Sequence, residues 1–270
     1  MKAQFQVRQF RYAFLSQAQS SSAFSSGLSF ELPSCAITVL VGPNGSGKST
    51  LMKAVAGLLP LPPPHCSAQV EFQGEHFLNF SPEKRAQVVA YVPSEIHTEF
   101  PLTAYEVVSM GRLCWPVQRF WTQGSSEASL IAQAMQRAFC WELRDRDFSS
   151  LSGGEKQRVA IARALAQQSP VLFLDEALSQ MDLNHQMQVG GLLRELAQNG
   201  ASILWVCHDL NLALSWAQFG IFLKEGRLIA QGPLESSLQV SVLETLYPGV
   251  HFRLGRHPES GALQVFTAAR

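Results

Sequence analysis

The chain is short of charge. Of its 270 residues, 21 are Lys or Arg and 21 are Asp or Glu, so the formal net charge is zero. That balance leaves no electrostatic footprint for nucleic acid, which is therefore not expected as a partner. A run of about 18 apolar residues is also missing, so no segment is expected to span a membrane alone. Any membrane role would have to come through a partner. The opening MKAQFQVRQF lacks the apolar stretch of a secretory signal. Cysteines are few, odd in number and scattered (Cys35, Cys66, Cys114, Cys140, Cys207), with no C-x-x-C pair. Free thiols in a reducing compartment are expected, rather than a disulfide framework or a zinc site. No internal repeat is visible. At 46% apolar residues the chain is too apolar for disorder and long enough for a sizeable core.

Two stretches read as connectors. SQAQSSSAFSSG (Ser16–Gly27) reads as a turn or loop between strands, and LPLPPPHC (Leu59–Cys66) as an extended link that cannot continue a helix. From Ser81 to Ser150 the pattern is mostly helical and carries Trp115, Trp121 and Trp141, which reads as an inserted subdomain. The runs AITVLV, PVLFLD, SILWVC and FGIFLK have strand length and strand composition. Helical patterns separate them. Apolar strands alternating with helices predict an α/β fold with a mostly parallel sheet. In such sheets ligands bind beyond the carboxyl ends of the strands.

Three strand ends carry candidate chemistry. ITVLVGPNGSGKST fits G-x-x-x-x-G-K-[ST], with a strand before it and a helix after it. Its loop residues Gly42, Pro43, Asn44, Gly45, Ser46 and Gly47 offer backbone N–H groups to phosphates. Lys48 supplies a positive charge to the β- and γ-phosphates. The Ser49 hydroxyl suits magnesium, and Thr50 continues the helix start. PVLFLDEA delivers Asp175, expected to hold magnesium through its water shell, and Glu176, expected to polarise the attacking water. Asp and Glu also open helices, so that pair gains its meaning from the phosphate loop. SILWVCHDL puts His208 directly after a strand, where it would face a γ-phosphate. His65, His76, His97, His185, His251 and His257 lack such placement and read as surface or packing residues.

LSGGEKQRVAIARAL (Leu151–Leu165) resembles the signature motif of the ATP-binding cassette (ABC) ATPases. Ser152, Gly153 and Gly154 offer a hydroxyl, bare backbone and a helix N-terminus, a second anion site. The resemblance implies a P-loop NTPase fold of ABC type, with an antiparallel N-terminal β part and an inserted helical subdomain. Residues 1–80 and 160–270 would form the core, and 81–159 the helical subdomain with the signature. It further implies that the signature closes on the ATP of a second copy, giving a nucleotide-sandwich dimer. Phe14, or Tyr12 on the same strand face, would stack on adenine, with packing in the core as the alternative for either ring. Asp182 matches the D-loop aspartate, while Ala177, Leu178 and Met181 depart from the family's usual residues and would alter the loop's geometry. Cys35 stands where the family commonly has a turn glycine, and that turn is expected to adapt.

One departure touches the chemistry. After YVP the family has a glutamine whose amide oxygen ligates magnesium; this chain has Ser94. The hydroxyl keeps one oxygen but loses two methylenes and the carbonyl. A water between Ser94 and magnesium is the simpler repair, since magnesium keeps several waters. Glu95 is the neighbouring candidate but would point the other way on a strand.

FPLTAYEVVSMGRLCW and the C-terminal GPLESSLQVSVLETLYPGVHFRLG resemble segments of ATPases that power ferric siderophore, haem and cobalamin importers, with zinc and manganese importers as the alternative. The resemblance implies ATP and magnesium as cofactors and ATP hydrolysis as the reaction. It implies integral-membrane permease subunits as partners, an upstream substrate-binding protein, and a place on the cytoplasmic face of the membrane. The Trp residues of the helical insert suit either a permease-docking groove or core packing. Ser94 leaves open a weakly hydrolysing subunit.

Overall fold

The computed structural model describes residues 3–13, 22–60, 67–96, 98–116, 127–259 and 261–268. The chain divides into two compact units, Met1–Asn79 with Ser202–Arg270, and Phe80–Ala201.

The first unit opens with strands β1 (Ala3–Ala13), β2 (Ser22–Pro33) and β3 (Ala36–Val41), then helix α1 (Lys48–Val55), β4 (Ser67–Phe72) and the short β5 (Glu75–His76). Four of these form an antiparallel sheet in the order β2-β1-β4-β5. Phe5 and Val7 of β1 point into the core, then Phe10 and Tyr12 do. Strict alternation would have sent the second pair outward. The phase changes at Gln9, which has φ +50°, where Val7↔Phe30 gives way to Phe10↔Leu28. One extra residue in β1 makes a bulge, and the bulge keeps all four rings and side chains inside.

Between β2 and β3 the chain turns at Ser34–Cys35. Cys35 takes φ +58°. This is the left-handed conformation that glycine takes without cost.

The second unit contains α2 (Pro82–Val88), β6 (Val89–Val92), α3 (Ala104–Ser109), α4 (Glu127–Arg137), α5 (Gly153–Gln167), β7 (Val171–Asp175) and α6 (Leu183–Gln198). Strands β6 and β7 pair in parallel, Tyr91 opposite Phe173 and Val92 opposite Leu174. The stretch expected to be mostly helical is helical in short pieces, interrupted by β6 and by single 3-10 turns at Met110–Arg112, Trp141–Leu143 and Phe148–Ser150. Side chains start these helices. Ser81 caps α2 with Pro82 at its first position, and Thr103–Glu106 and Ser152–Glu155 form capping boxes on α3 and α5. Trp115 donates its indole N–H to the Gln167 carbonyl at 2.9 Å, and Trp141 lies under the Arg144 guanidinium at 4.8 Å. Trp121 lies outside the described residues.

The chain then returns to the first unit with β8 (Ser202–Val206), α7 (Leu210–Trp216), β9 (Phe219–Lys224), β10 (Arg227–Pro233), α8 (Leu234–Ser237), α9 (Val240–Leu246), β11 (His251–Arg256) and β12 (Leu263–Ala268). Strand β3 lies between β8 and β9, parallel to both, and β10 pairs antiparallel to β9. Every residue of β3 and β8 is buried. That burial on both faces is why these runs are continuously apolar rather than alternating. Strands β11 and β12 form a hairpin of their own.

Among the described residues Cys35, Cys114, Cys140 and Cys207 are free thiols. No helix among them is long and apolar enough to cross a membrane.

Candidate nucleotide site

The loop between β3 and α1 is built for close approach. Gly42 runs so near Leu223 that a Cβ would fall 2.1 Å from its carbonyl oxygen. Gly47, at φ +96°, ends the loop over Phe24, whose ring a Cβ would meet at 2.6 Å. Gly45 has open space around it, and only its φ of +76° calls for glycine. The loop is closed by the Ser46 N–H donating to the Pro43 carbonyl at 3.2 Å. Lys48 is buried, and its ammonium donates to the Gly42 carbonyl at 2.9 Å and the Pro43 carbonyl at 3.0 Å. The lysine thus spans the loop it would defend against anionic repulsion. The Ser46 hydroxyl is buried and has no hydrogen-bond partner among the described residues. Ser49 and Thr50 follow in the first turn of α1, half-buried, where backbone N–H groups have no acceptor within the helix. This donor set fits phosphate.

His208 follows β8 and is exposed. Asp209 caps α7, accepting from the N–H groups of Asn211 at 2.9 Å and Leu212 at 3.0 Å. His208 shares a cleft of about 700 Å³ with Gly42, Pro43 and Asn44. The far wall is the C-terminal hairpin, through Phe252, Val265 and Thr267. The Asn211 amide holds that hairpin in both directions: its Nδ2 donates to the Val265 carbonyl at 3.1 Å and its Oδ1 accepts from the Val265 N–H at 2.8 Å. Sequence reasoning missed this wall. Nothing in the spacing of Asn211 and Val265 signals it.

In the second unit, Asp175 ends β7 with 1% of its surface exposed. The Tyr91 hydroxyl donates to its Oδ2 at 2.8 Å. Burial, and then the Asp175 charge, push the Tyr91 hydroxyl above the usual tyrosine range, so it stays a donor. Glu176 follows at φ +54°, and its carbonyl accepts from the N–H and hydroxyl of Ser179. Ala177, Leu178 and Met181, the three departures in that loop, are buried and give it a small core. Asp182 caps α6, accepting from the His185 N–H at 2.9 Å and pairing with the His185 ring at 2.8 Å. Those hydrogen bonds, the backbone one first, hold its carboxyl below the usual range.

Ser94 follows β6 and is half-buried. Its carbonyl accepts from the side-chain amide of Gln157, which also reaches the Pro93 carbonyl at 3.3 Å. Ser152 opens α5 with its hydroxyl and N–H both bound to the Glu155 carboxylate at 2.8 Å. Gly153 and Gly154 leave room for Gln180; a Cβ on Gly153 would meet its Oε1 at 2.1 Å.

The structure therefore groups the phosphate loop with His208 in the first unit, and Asp175, Glu176 and Ser94 with the signature in the second. Tyr12 is buried and stacks parallel on Phe10, with centroids 6.3 Å apart. Phe14 lies outside the described residues.

The ABC transporter family model matches residues 25–179. The hemin import ATP-binding protein of Nocardia farcinica is 40% identical over 226 residues, covering 84% of this chain and 76% of that protein. The ferric enterobactin transport ATP-binding protein of Escherichia coli is 33% identical, covering 82% of this chain and 80% of its own. Among solved structures, an inward-facing ABC transporter of the metal-chelate type superposes with a TM-score of 0.76 at 25% identity, covering 100% of this chain and 98% of that one. The phosphate loop, the carboxylate pair and the capped signature helix accord with these likenesses: the chain belongs to the ABC transporter family, as one of its ATPase cassettes.

Proposed function

We propose that the chain hydrolyses ATP to drive import of an iron chelate, haem or a ferric siderophore, through a permease in the membrane. The observation that carries this is its likeness, over more than four-fifths of its length, to proteins named for hemin and ferric enterobactin import. Cobalamin falls within the same class of chelate.

In this reading the loop Gly42–Gly47 and the first turn of α1 bind the phosphates through backbone N–H groups. Lys48 exchanges its two loop carbonyls for phosphate oxygens. The buried Ser46 hydroxyl gains the partner it lacks. Ser49, Asp175 and Ser94 offer hard oxygens that would fit magnesium, Ser49 directly and Asp175 and Ser94 through its water shell. The chemistry such an ion would supply is neutralisation of phosphate charge. Glu176 orients and polarises the attacking water. His208 contacts the γ-phosphate from the cleft it shares with Asn44. Ser152, Gly153, Gly154 and Asp182 serve the nucleotide of a second copy of the chain. Tyr12 or Phe14 lies against adenine.

The subdomain limits proposed are 81–159 for the helical part and 1–80 with 160–270 for the core. The partners are a second copy, permease subunits at the cytoplasmic face of the membrane, and a substrate-binding protein beyond it. The test is co-expression with the permease subunits of an iron-chelate importer from the same organism, and reconstitution in vesicles. Haem or a ferric siderophore should stimulate ATP hydrolysis several-fold. Stimulation by zinc or manganese alone would overturn the chelate assignment. A second reading, a subunit that binds ATP but hydrolyses it slowly, rests on Ser94; it predicts low turnover with every cargo.

A further inference from the structure

Buried carboxylates do not choose their own orientation. With no water around it, the side chain goes where protein donors pull it. Asp175 is such a group. Tyr91, on the neighbouring strand β6, takes its Oδ2 at 2.8 Å. The register explains the reach: Tyr91 lies opposite Phe173, two residues short of Asp175, and a phenol is long enough to span that offset. Tyr91 in turn begins the four-residue stretch Tyr91–Ser94. At the far end of that stretch, Gln157 of α5 grips the carbonyls of Pro93 and Ser94. Gln157 is 2% exposed, so the grip is made away from water.

From this geometry we infer that Tyr91 is a positioning residue for the metal carboxylate: its hydroxyl orients Asp175, and its backbone links Asp175 to the segment that the signature helix holds through Gln157. The Ser94 side chain takes no part in this link. A shift of Asp175 on metal binding is passed through the Tyr91 hydroxyl to β6, and from the carbonyls of Pro93 and Ser94 to Gln157. The inference rests on the reading of Asp175 as a metal carboxylate. Outer-shell hydrogen-bond partners at metal sites usually contribute about tenfold or more to metal affinity.

The test uses the full chain with saturating ADP and manganese(II) as the paramagnetic probe, titrated by electron paramagnetic resonance. ADP binding in EDTA is measured alongside. Tyr91→Phe should weaken manganese binding about tenfold and leave ADP binding in EDTA unchanged. A merely structural role for the hydroxyl would move both or neither. Manganese affinity equal to the parent's would overturn the inference. If Tyr91→Phe does not bind ADP in EDTA, Tyr91→Met, a flexible apolar side chain without a hydroxyl, is held to the same two readings. Asp175→Asn separates the layers. If it abolishes manganese binding while Tyr91→Phe leaves it intact, only the positioning role fails. If Asp175→Asn binds manganese normally, the metal reading fails and the inference falls with it.

Discussion

Gln157, six residues into the signature motif, donates its side-chain amide to the carbonyls of Pro93 and Ser94, while its own buried Oε1 has no hydrogen-bond partner among the described residues. The side chain is therefore half-satisfied. Gln157→Leu strips a donor from two carbonyls but also removes the unpaired oxygen, so its net cost should be about 2 kcal/mol. Gln157→Glu should cost more near neutral pH, because a buried carboxylate would face two acceptors. Burial raises that carboxyl's folded pKa above its unfolded value. The cost should therefore shrink as pH falls, when the acid protonates and donates again. Urea midpoints at pH 5 and pH 8 are the measurement; equal losses for both variants at both pH values would contradict the assignment.

A second pH effect comes from the capping box on α5. The backbone N–H of Ser152, then its hydroxyl, hold the Glu155 carboxyl below its usual range. A depressed folded pKa contributes stability above the unfolded pKa, about 4.3. That contribution is lost as pH falls through the folded value. Glu155→Gln keeps the capping geometry but has no charge. The stability gap between parent and variant should be widest above about pH 5 and close in more acid solution. A gap independent of pH would mean that the charge contributes nothing.

Cys35 offers a stabilising change. It holds φ +58° in the β2–β3 turn and is exposed. A non-glycine residue there costs about 1–2 kcal/mol, and glycine returns part of its gain as chain entropy. Cys35→Gly should therefore raise stability by about 1 kcal/mol and the melting temperature by roughly 2–4 °C. Calorimetry decides it. A lower melting temperature would show that the thiol makes contacts that outweigh the strain.

The C-terminal hairpin should depend on one side chain. Asn211 makes both hydrogen bonds to Val265, and the hairpin walls the cleft that His208 faces. Asn211→Leu should cost about 2 kcal/mol and speed amide exchange in β12 more than in β8. Turnover should fall, since α7 begins two residues after His208. Unchanged exchange in β12 would show that the hairpin is held by its apolar contacts alone.

How far these features could be read in advance depended on distance along the chain. AITVLV, VLFLD and SILWV were legible as strands because burial on both faces writes itself as an unbroken apolar run. The phosphate loop was legible because glycine, lysine and serine act within eight consecutive residues. The bulge at Gln9 was not, since its cause is the register with β2 and not the local residues. Nor was Tyr91, whose partner Asp175 lies 84 positions away. Strand β6 was legible from the YVP motif and not from periodicity, since four residues carry too little of it. The left-handed backbone at Cys35 was not legible either, since nothing in a cysteine calls for it.

Ser94 remains the position where this chain departs most from its family's chemistry. Its backbone is anchored by Gln157, so the main chain is not free to move inward and bring the short hydroxyl to a metal. A bridging water is then the remaining route for that oxygen. Ser94→Gln would extend a carbonyl oxygen from the same anchored backbone by two methylenes. In the assembled transporter it should lower the magnesium concentration needed for half-maximal turnover, by several-fold if direct ligation replaces a water. Permease-stimulated turnover should rise with it. Turnover is measured across a magnesium titration, with and without the permease. An unchanged magnesium dependence and unchanged stimulation would mean that the serine is neutral, and that the carboxylate of Asp175, held by Tyr91, is the protein's main grip on the ion.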